Sequence, residues 1–433
     1  MLNIFILFFA LIGLQDIVIY MFGVNNVAPT IFALPIIAVH GMVFLCYLLT
    51  RKNGAVGKIL AAALLLRIAL MFCDFFHLFP ILNSGADSEY FHYIAMSMYR
   101  GGPNFTNSNY PEFLAPIYKI TFASRLLAQY INVLFGMGMI VMVYKSLRLL
   151  DINKKAVLIS VAILSFLPNA IIFSGILLRE AWVEFFVAVS AFYFIKWFVE
   201  GGPQWIVVCL AALLTASYMH AGILGLAVGY IFAFICYNPR TGKVTFSTTS
   251  VVSMIAVTVV WLLVADYFEM FTVKFNSFDF DSNEDFLKKV NTQGGGNADY
   301  LTWIDADSTV QGLLFSPLKM FYFLFSPLPT EWNRIIDIIG FAIDGAIYMA
   351  MCWAIWKYRP GMHLYLKRFL VLAMLCSAFI FGYGTFNAGT AFRHRAKLLS
   401  VIAIPFAISI SEGKEKKYYT TRFVEVEKTT TNN

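Results

Sequence analysis

The chain has 433 residues, 60% of them hydrophobic and only 13% charged, with a formal net charge of +7. A soluble domain is usually about a quarter charged, so this composition argues against a soluble protein and for a polytopic α-helical membrane protein. A membrane β-barrel would show alternating segments of roughly 10 residues, which the sequence lacks. The basic charge lies largely in short loops between apolar runs, where membrane orientation explains it without nucleic acid as a partner.

Apolar runs near the ~20 residues needed to cross a hydrocarbon core as helix recur along the whole chain. They predict spans over 2–22, 28–50, 57–82, 122–146, 156–175, 178–198, 203–218, 220–238, 246–266, 335–357, 364–384 and 396–412. The first has no basic leader or small-residue cleavage site and reads as a retained span. The loops carry basic clusters, such as Arg51/Lys52/Lys58, Lys145/Arg148/Lys154/Lys155 and Lys357/Arg359/Lys367/Arg368. Placing them in the cytoplasm requires about twelve crossings, with both termini inside. Residues 1–412 then form one transmembrane helical domain with two large outer loops, 83–121 and 267–334. The stretch 311–330, broken by two Ser-Pro pairs, reads as re-entrant or interfacial. Residues 413–433 read as a disordered cytoplasmic tail. The six cysteines form no CxxC pair, and no inverted repeat of broken helices points to a secondary transporter.

Three charged clusters fall on the outer side of this topology. The first is "GADSEYFHYIAMSMYRGG", where Asp87 and Glu89 open a segment of helical periodicity. Tyr90, Tyr93, Ile94 and Met98 can share one face, which suits an amphipathic helix lying in the interface. The acids read either as helix-capping groups or as a general base or metal ligand pair. The second is "LLREAWVEFF", with Arg179, Glu180 and Glu184. It reads as a structural charge pair or as a phosphate-binding Arg179 with Glu180 beside it. The third is "NAGTAFRHRAKLL". On an extended segment Arg393, Arg395 and Lys397 would face one way, whereas on a helix Arg393 and Lys397 would align and Arg395 would splay. It opposes the positive-inside trend, so it reads as a lipid-phosphate site or as headgroup anchoring.

The remaining signals are weaker. Asp279, Asp281, Asn283 and Asp285 resemble a calcium loop, but Glu284 and Val290 occupy the positions of its turn glycine and bidentate acid. Asp305 and Asp307 read as a solvated turn or a metal pair. Gly294–Gly296 match no P-loop and suit a hinge for a lid. His220, at a helix end, is the histidine that merits a test as a binding residue. Asn104-Phe105-Thr106 is a glycosylation sequon.

Together the three clusters resemble the C-type superfamily of membrane glycosyltransferases, which includes protein O-mannosyltransferases and bacterial aminoarabinose and arabinofuranosyl transferases. "GADSEYFHYIAMSMYRGG" looks like that family's acidic motif in the first outer loop, leading into an interfacial helix. The motif here is Asp-Ser-Glu, not Asp-X-Asp. "FRHRAKLLSVIAIP" resembles its arginine-containing segment before a late span. "LREAW" and "FLFSPLPTEW" look like segments of bacterial polysaccharide-assembly membrane proteins. The resemblance implies an inverting transferase at the outer face of a bacterial cytoplasmic (inner) membrane, taking sugar from a polyprenyl-phosphate-linked donor to a glycan or lipid acceptor. Asp87 and Glu89 would be catalytic, alone or through a divalent cation such as Mg or Mn. Arg179, Glu180, His220, Arg393, Arg395 and Lys397 would bind substrate and lipid phosphate. Membrane lipids and other polysaccharide-assembly proteins would be partners. The alternatives are a polysaccharide polymerase using lipid-diphosphate repeat units, a flippase for lipid-linked oligosaccharide, and an export scaffold. The flippase alternative draws on Arg67, Asp74 and Asp344 within the spans.

Overall fold

The computed structural model describes residues 2–22, 29–50, 54–81, 84–85, 87–104, 108–121, 123–245, 252, 291, 298–333, 335–358, 361 and 363–411. The chain is an all-α polytopic membrane protein. In chain order the helices are α1 (Leu2–Phe22), α2 (Pro29–Thr50), α3 (Ala55–Phe75), α4 (Asp87–Tyr99), α5 (Tyr110–Ile120), α6 (Arg125–Leu149), α7 (Lys154–Phe166), α8 (Pro168–Gly175), α9 (Glu180–Glu200), α10 (Pro203–Met219) and α11 (Gly225–Cys236). There follow α12 (Thr309–Leu314), α13 (Ser316–Phe325), α14 (Ile335–Gly340), α15 (Ala346–Lys357), α16 (Leu364–Tyr383), α17 (Ala388–Ala396) and α18 (Leu399–Ile410). A two-residue antiparallel hairpin, Tyr237–Asn238 with Lys243–Val244, follows α11.

Among the described residues seven helices are long and apolar enough to cross a membrane, or eight if the bent α7–α8 pair is one span. Three further apolar helices, α10, the 221–236 segment and α18, are shorter. The predicted span at 246–266 apart from Val252, the acidic stretch 279–290, Gly294–Gly296 and the tail from 413 lie outside the described residues. The segment 311–330 forms two short helices, α12 and α13, of 6 and 10 residues. Each is too short to cross a membrane alone.

Several boundaries differ from the sequence reading, for local reasons. The third span stops at Phe75, not 82. The chain turns out of the helix with His77 at φ 51°, ahead of Pro80, and the residue before a proline disfavours the α region. The loop 83–121 holds two helices, not one, and α5 packs on α4. The apolar stripe of α4 divides. Ile94 is buried with Phe91 and Ala95, whereas Tyr90 and Tyr93 are exposed. Phe91 and Ile94 are three apart and so share the face that meets the core.

α6 is the central post. It is nearly all buried, lies along α9, and is touched by α3, α7, α8 and α18. On the other side of the bundle Gly225 and Gly229 of α11 meet α16 so closely that an added Cβ would lie 2.5 Å from the Ser377 and Ala373 backbone. Small residues let membrane helices approach in this way.

The sharpest local feature is the break between α7 and α8, bent by 49°. Pro168 has no N–H, so the Leu164 carbonyl loses its helical partner. Arg67, fully buried on α3, fills the gap: its Nη2 donates to Leu164 O at 3.1 Å and its Nη1 to Ser165 O at 2.9 Å. An unpaired buried carbonyl costs roughly 1–3 kcal/mol. Arg67→Leu is therefore expected to lower stability by at least that range in detergent, with Pro168→Ala recovering part of the loss by restoring the N–H. Equal denaturation midpoints for wild type and Arg67→Leu would count against this account.

Candidate functional site

The site is built where α4, α9 and α17 meet. Residues 388–396 are helical, so the third cluster takes the splayed arrangement. Asn387 caps the helix, its Oδ1 accepting from Gly389 N at 2.8 Å. Asn387 is itself held by the loop segment at 299, since its Nδ2 donates to Asp299 Oδ1 at 2.8 Å and Ala388 N donates to Ala298 O at 2.9 Å. Arg393 and Lys397 then lie one turn apart and face Glu180. Arg395 points elsewhere.

Arg393 is the hub. Its Nη1 pairs with Asp87 Oδ2. Its Nε donates to Glu180 Oε1 at 3.2 Å, and its Nη2 lies 3.1 Å from the same oxygen. The Glu180 carboxylate, working against burial, raises the Arg393 pKa above its ordinary value. Lys397 Nζ reaches Glu180 Oε1 at 3.3 Å and also donates to Arg393 O at 3.2 Å. Glu180 and Lys397 side chains are fully buried, Arg393 is 19% exposed and Asp87 48% exposed. Asp87 is thus the open edge of a cluster whose base is sealed.

Arg179 stands beside them. Its Nη1 donates to Ser108 Oγ and to Met219 O, each at 3.1 Å. It precedes α9 in a non-helical turn, 176–179, that follows α8. Asn132 of α6 fixes this turn, donating from Nδ2 to Ile176 O at 2.7 Å and to Leu178 O at 2.9 Å. Trp182 Nε1 donates to Asn132 Oδ1 at 2.7 Å, which locks the amide. Three cations, Arg179, Arg393 and Lys397, therefore meet two carboxylates, Asp87 and Glu180. Glu184, one turn along α9, is 1% exposed and neither of its oxygens has a hydrogen-bond partner among the described residues. Arg67, Glu180 and Lys397 are its electrostatic neighbours.

His220 joins the site through His394, a member of the third cluster to which the sequence assigns no role of its own. Its Nε2 lies 3.2 Å from Nε2 of His394, whose Nδ1 lies 3.2 Å from Thr385 Oγ1. His394 is held well below the ordinary imidazole range, first by burial and then by the Lys397 and Arg179 charges. His92 on α4, bonded to Tyr118 OH at 2.7 Å, is also lowered, first by burial and then by Arg125. In the unfolded chain these rings take protons as pH falls through about 6.5, while the folded rings do not. Their contribution is complete above that pH and drains away below it. The thermal midpoint in detergent should decline from about pH 7.5 to about pH 5.5, and His394→Gln should make the decline shallower. An unchanged slope would remove His394 from this role.

Two sequence candidates lie apart from the hub. Glu89, two residues after Asp87, points to the other side of α4, since two helical residues subtend about 200°. There it accepts from Arg125 Nη1 at 2.6 Å. Arg125 also lies 3.6 Å from Asp74, which accepts from Gln129 Nε2 at 2.6 Å. The expected Asp87–Glu89 metal pair is thus two carboxylates engaged by different arginines. Among the described residues no three His, Cys, Asp or Glu side chains gather so as to hold a metal ion. Arg395 is fully buried. Its Nε donates to Asp344 Oδ2 at 2.6 Å and its Nη1 to Ser326 O at 2.6 Å, while Asn169 Nδ2 donates to Asp344 Oδ1 at 2.6 Å. Asp344 lies in a π-helical turn, 341–345, between α14 and α15. Arg395 therefore ties α17 to α8 and to that turn, away from the Asp87 edge. Asp305 and Asp307 are exposed, and Asn104 Nδ2 donates to Glu112 Oε1 at 3.0 Å.

Arg125, Asn132 and Thr385 were not singled out by the sequence, and His394 stood out only as a member of the third charged cluster. Gln129 and Asn132 carried a signal, since two amides three apart in an apolar run are costly in a membrane unless bonded.

No model of a known protein family matches the chain, and no curated protein matches it.

Proposed function

We propose that the protein is a membrane glycosyltransferase that takes a sugar from a polyprenyl-phosphate-linked donor at the outer face of the membrane. The observation that carries this reading is the Asp87–Arg393–Glu180–Lys397 array: one half-exposed carboxylate at the lip of a buried, net-cationic cluster. Arg393, with Arg179 and Lys397 behind it, suits a phosphate. Guanidinium forks bind oxyanions bidentately, and fixed cations stabilise charge that develops on a leaving group. Asp87 suits the acceptor hydroxyl, from which it takes the proton as the new glycosidic bond forms and the anomeric carbon–phosphate oxygen bond breaks. α4 would lie in the interface with Tyr90 and Tyr93 toward lipid. Arg395, spent on Asp344, supports the scaffold in this reading.

The charges that favoured a flippase support it less. Arg67, Asp74 and Asp344 are each engaged by neighbouring helices, not strung along a path. The test is purified protein in vesicles with a fluorescent polyprenyl-phosphate sugar and candidate acceptors. Single-sugar addition is the expected product. A ladder of lengthening products from lipid-diphosphate repeats would make the protein a polymerase. Lipid movement across the bilayer without bond formation would overturn the enzyme reading.

A further inference from the structure

An imidazole pair, His220 and His394, lies next to the cationic cluster. Thr385 Oγ1, His394 and His220 form a continuous row, hydroxyl to ring to ring, with both inter-group distances at 3.2 Å. Two facing Nε2 atoms can share only one hydrogen, so one ring donates and the other accepts. Phe381 lies against both rings, with centroids 5.0 Å from His220 and 5.1 Å from His394. The row is also joined to the cluster by the chain itself: Met219 O, just before His220, accepts from Arg179, and His394 follows Arg393.

The charged groups around His394 come from several elements. Arg179 and Glu180 lie at the start of α9, Arg393 on α17, and Lys397 just beyond it. Arg179 and Arg393 are cations and Lys397, which burial pushes down to about 7, is one in part; all three repel a proton from the rings. A phosphate monoester bound by those cations would bring about two negative charges at neutral pH and offset their repulsion. An imidazole beside it then takes a proton more readily than before, against the burial that still disfavours its charged form.

We propose that His220 and His394 form a proton-uptake relay that charges when a phosphate occupies the Arg179–Arg393–Lys397 cluster and discharges when the phosphate leaves. The ligand class is a phosphomonoester, the form in which a lipid carrier would be released under the function proposed above. The proton comes from water, enters at one ring and is shared across the Nε2–Nε2 contact. No other bond is made or broken.

The test is isothermal titration calorimetry of the detergent-solubilised wild-type chain with farnesyl phosphate and, separately, inorganic phosphate. Each is measured at about pH 7.5–8 in buffers of different ionisation enthalpy. Proton linkage predicts uptake of roughly one proton per bound phosphate, falling toward zero in both His394→Gln and His220→Gln. Thermal midpoints and monodispersity confirm that the variants fold. Uptake with both ligands locates the recognition in the phosphate itself, and uptake with farnesyl phosphate alone assigns it to a lipid-borne phosphate. Binding without uptake overturns the relay. So does uptake that survives both histidine substitutions but disappears in Lys397→Arg, which would make Lys397 the acceptor. No binding of either ligand overturns the phosphate site, and the relay with it. Because the readout is binding, a failure of sugar transfer would leave this result standing.

Discussion

Asp87→Asn is expected to lower transfer from a polyprenyl-phosphate donor by roughly 10²–10⁴-fold, the loss typical of removing a positioned general base. Asparagine keeps an oxygen for Arg393 Nη1, so the hub survives: Glu180 still holds Arg393 and Lys397. What disappears is the ability to take a proton at the open edge. Donor binding, which depends on the cations, should change much less than turnover, and that separation is the useful readout. An interaction made only in the transition state lowers kcat and kcat/KM together. Full retained transfer would leave Asp87 as no more than the first-turn acid of α4.

The largest stability effect is expected at the other arginine. Asp344→Leu leaves Arg395 buried with its charge uncompensated, and breaking such a pair costs roughly 3–5 kcal/mol. The double variant Asp344→Leu/Arg395→Met removes both charges and should recover most of that loss, since buried ion pairs often exchange for apolar side chains at little net cost. Denaturation in detergent across the four members of this cycle reads the coupling directly. If Asp344→Leu is no worse than the double variant, Arg395 has other partners that suffice. Asn169 and the Ser326 carbonyl, which share the network, set how much the double variant fails to recover.

These two arginines illustrate what the sequence could and could not convey. Arg393 and Arg395 are two residues apart in one basic run, and composition treats them alike. Their separation depends on whether 388–396 is helix or extended, and that is set by the Asn387 cap and the segment at 298–300 bonded to it. Neither is a periodic signal. The apolar runs were legible because a membrane imposes a length and a composition on every span. Asp87, Arg179 and Glu180 were legible for the same reason, as charges at the ends of apolar runs. Arg67 and Asp74 were equally visible, but their roles depend on a proline break and on a glutamine in other helices. His394 was hidden between two arginines, and its partners, His220 at the end of α10 and Thr385 ahead of α17, are set by the fold.

The contact between Asp87 and Arg393 joins residues 306 positions apart. At a synthesis rate of about 5–20 residues per second, the arginine is made roughly 15–60 s after the aspartate. Glu180, 213 positions ahead of Arg393, waits for roughly 10–45 s of that interval without the two cations that later seal it. The charge cluster therefore acts as a clasp that closes last. A chain released early, short of residue 388, would keep most of its helices and still lack the clasp. Its Glu180 would lack the Arg393 and Lys397 contacts that hold it in the finished protein.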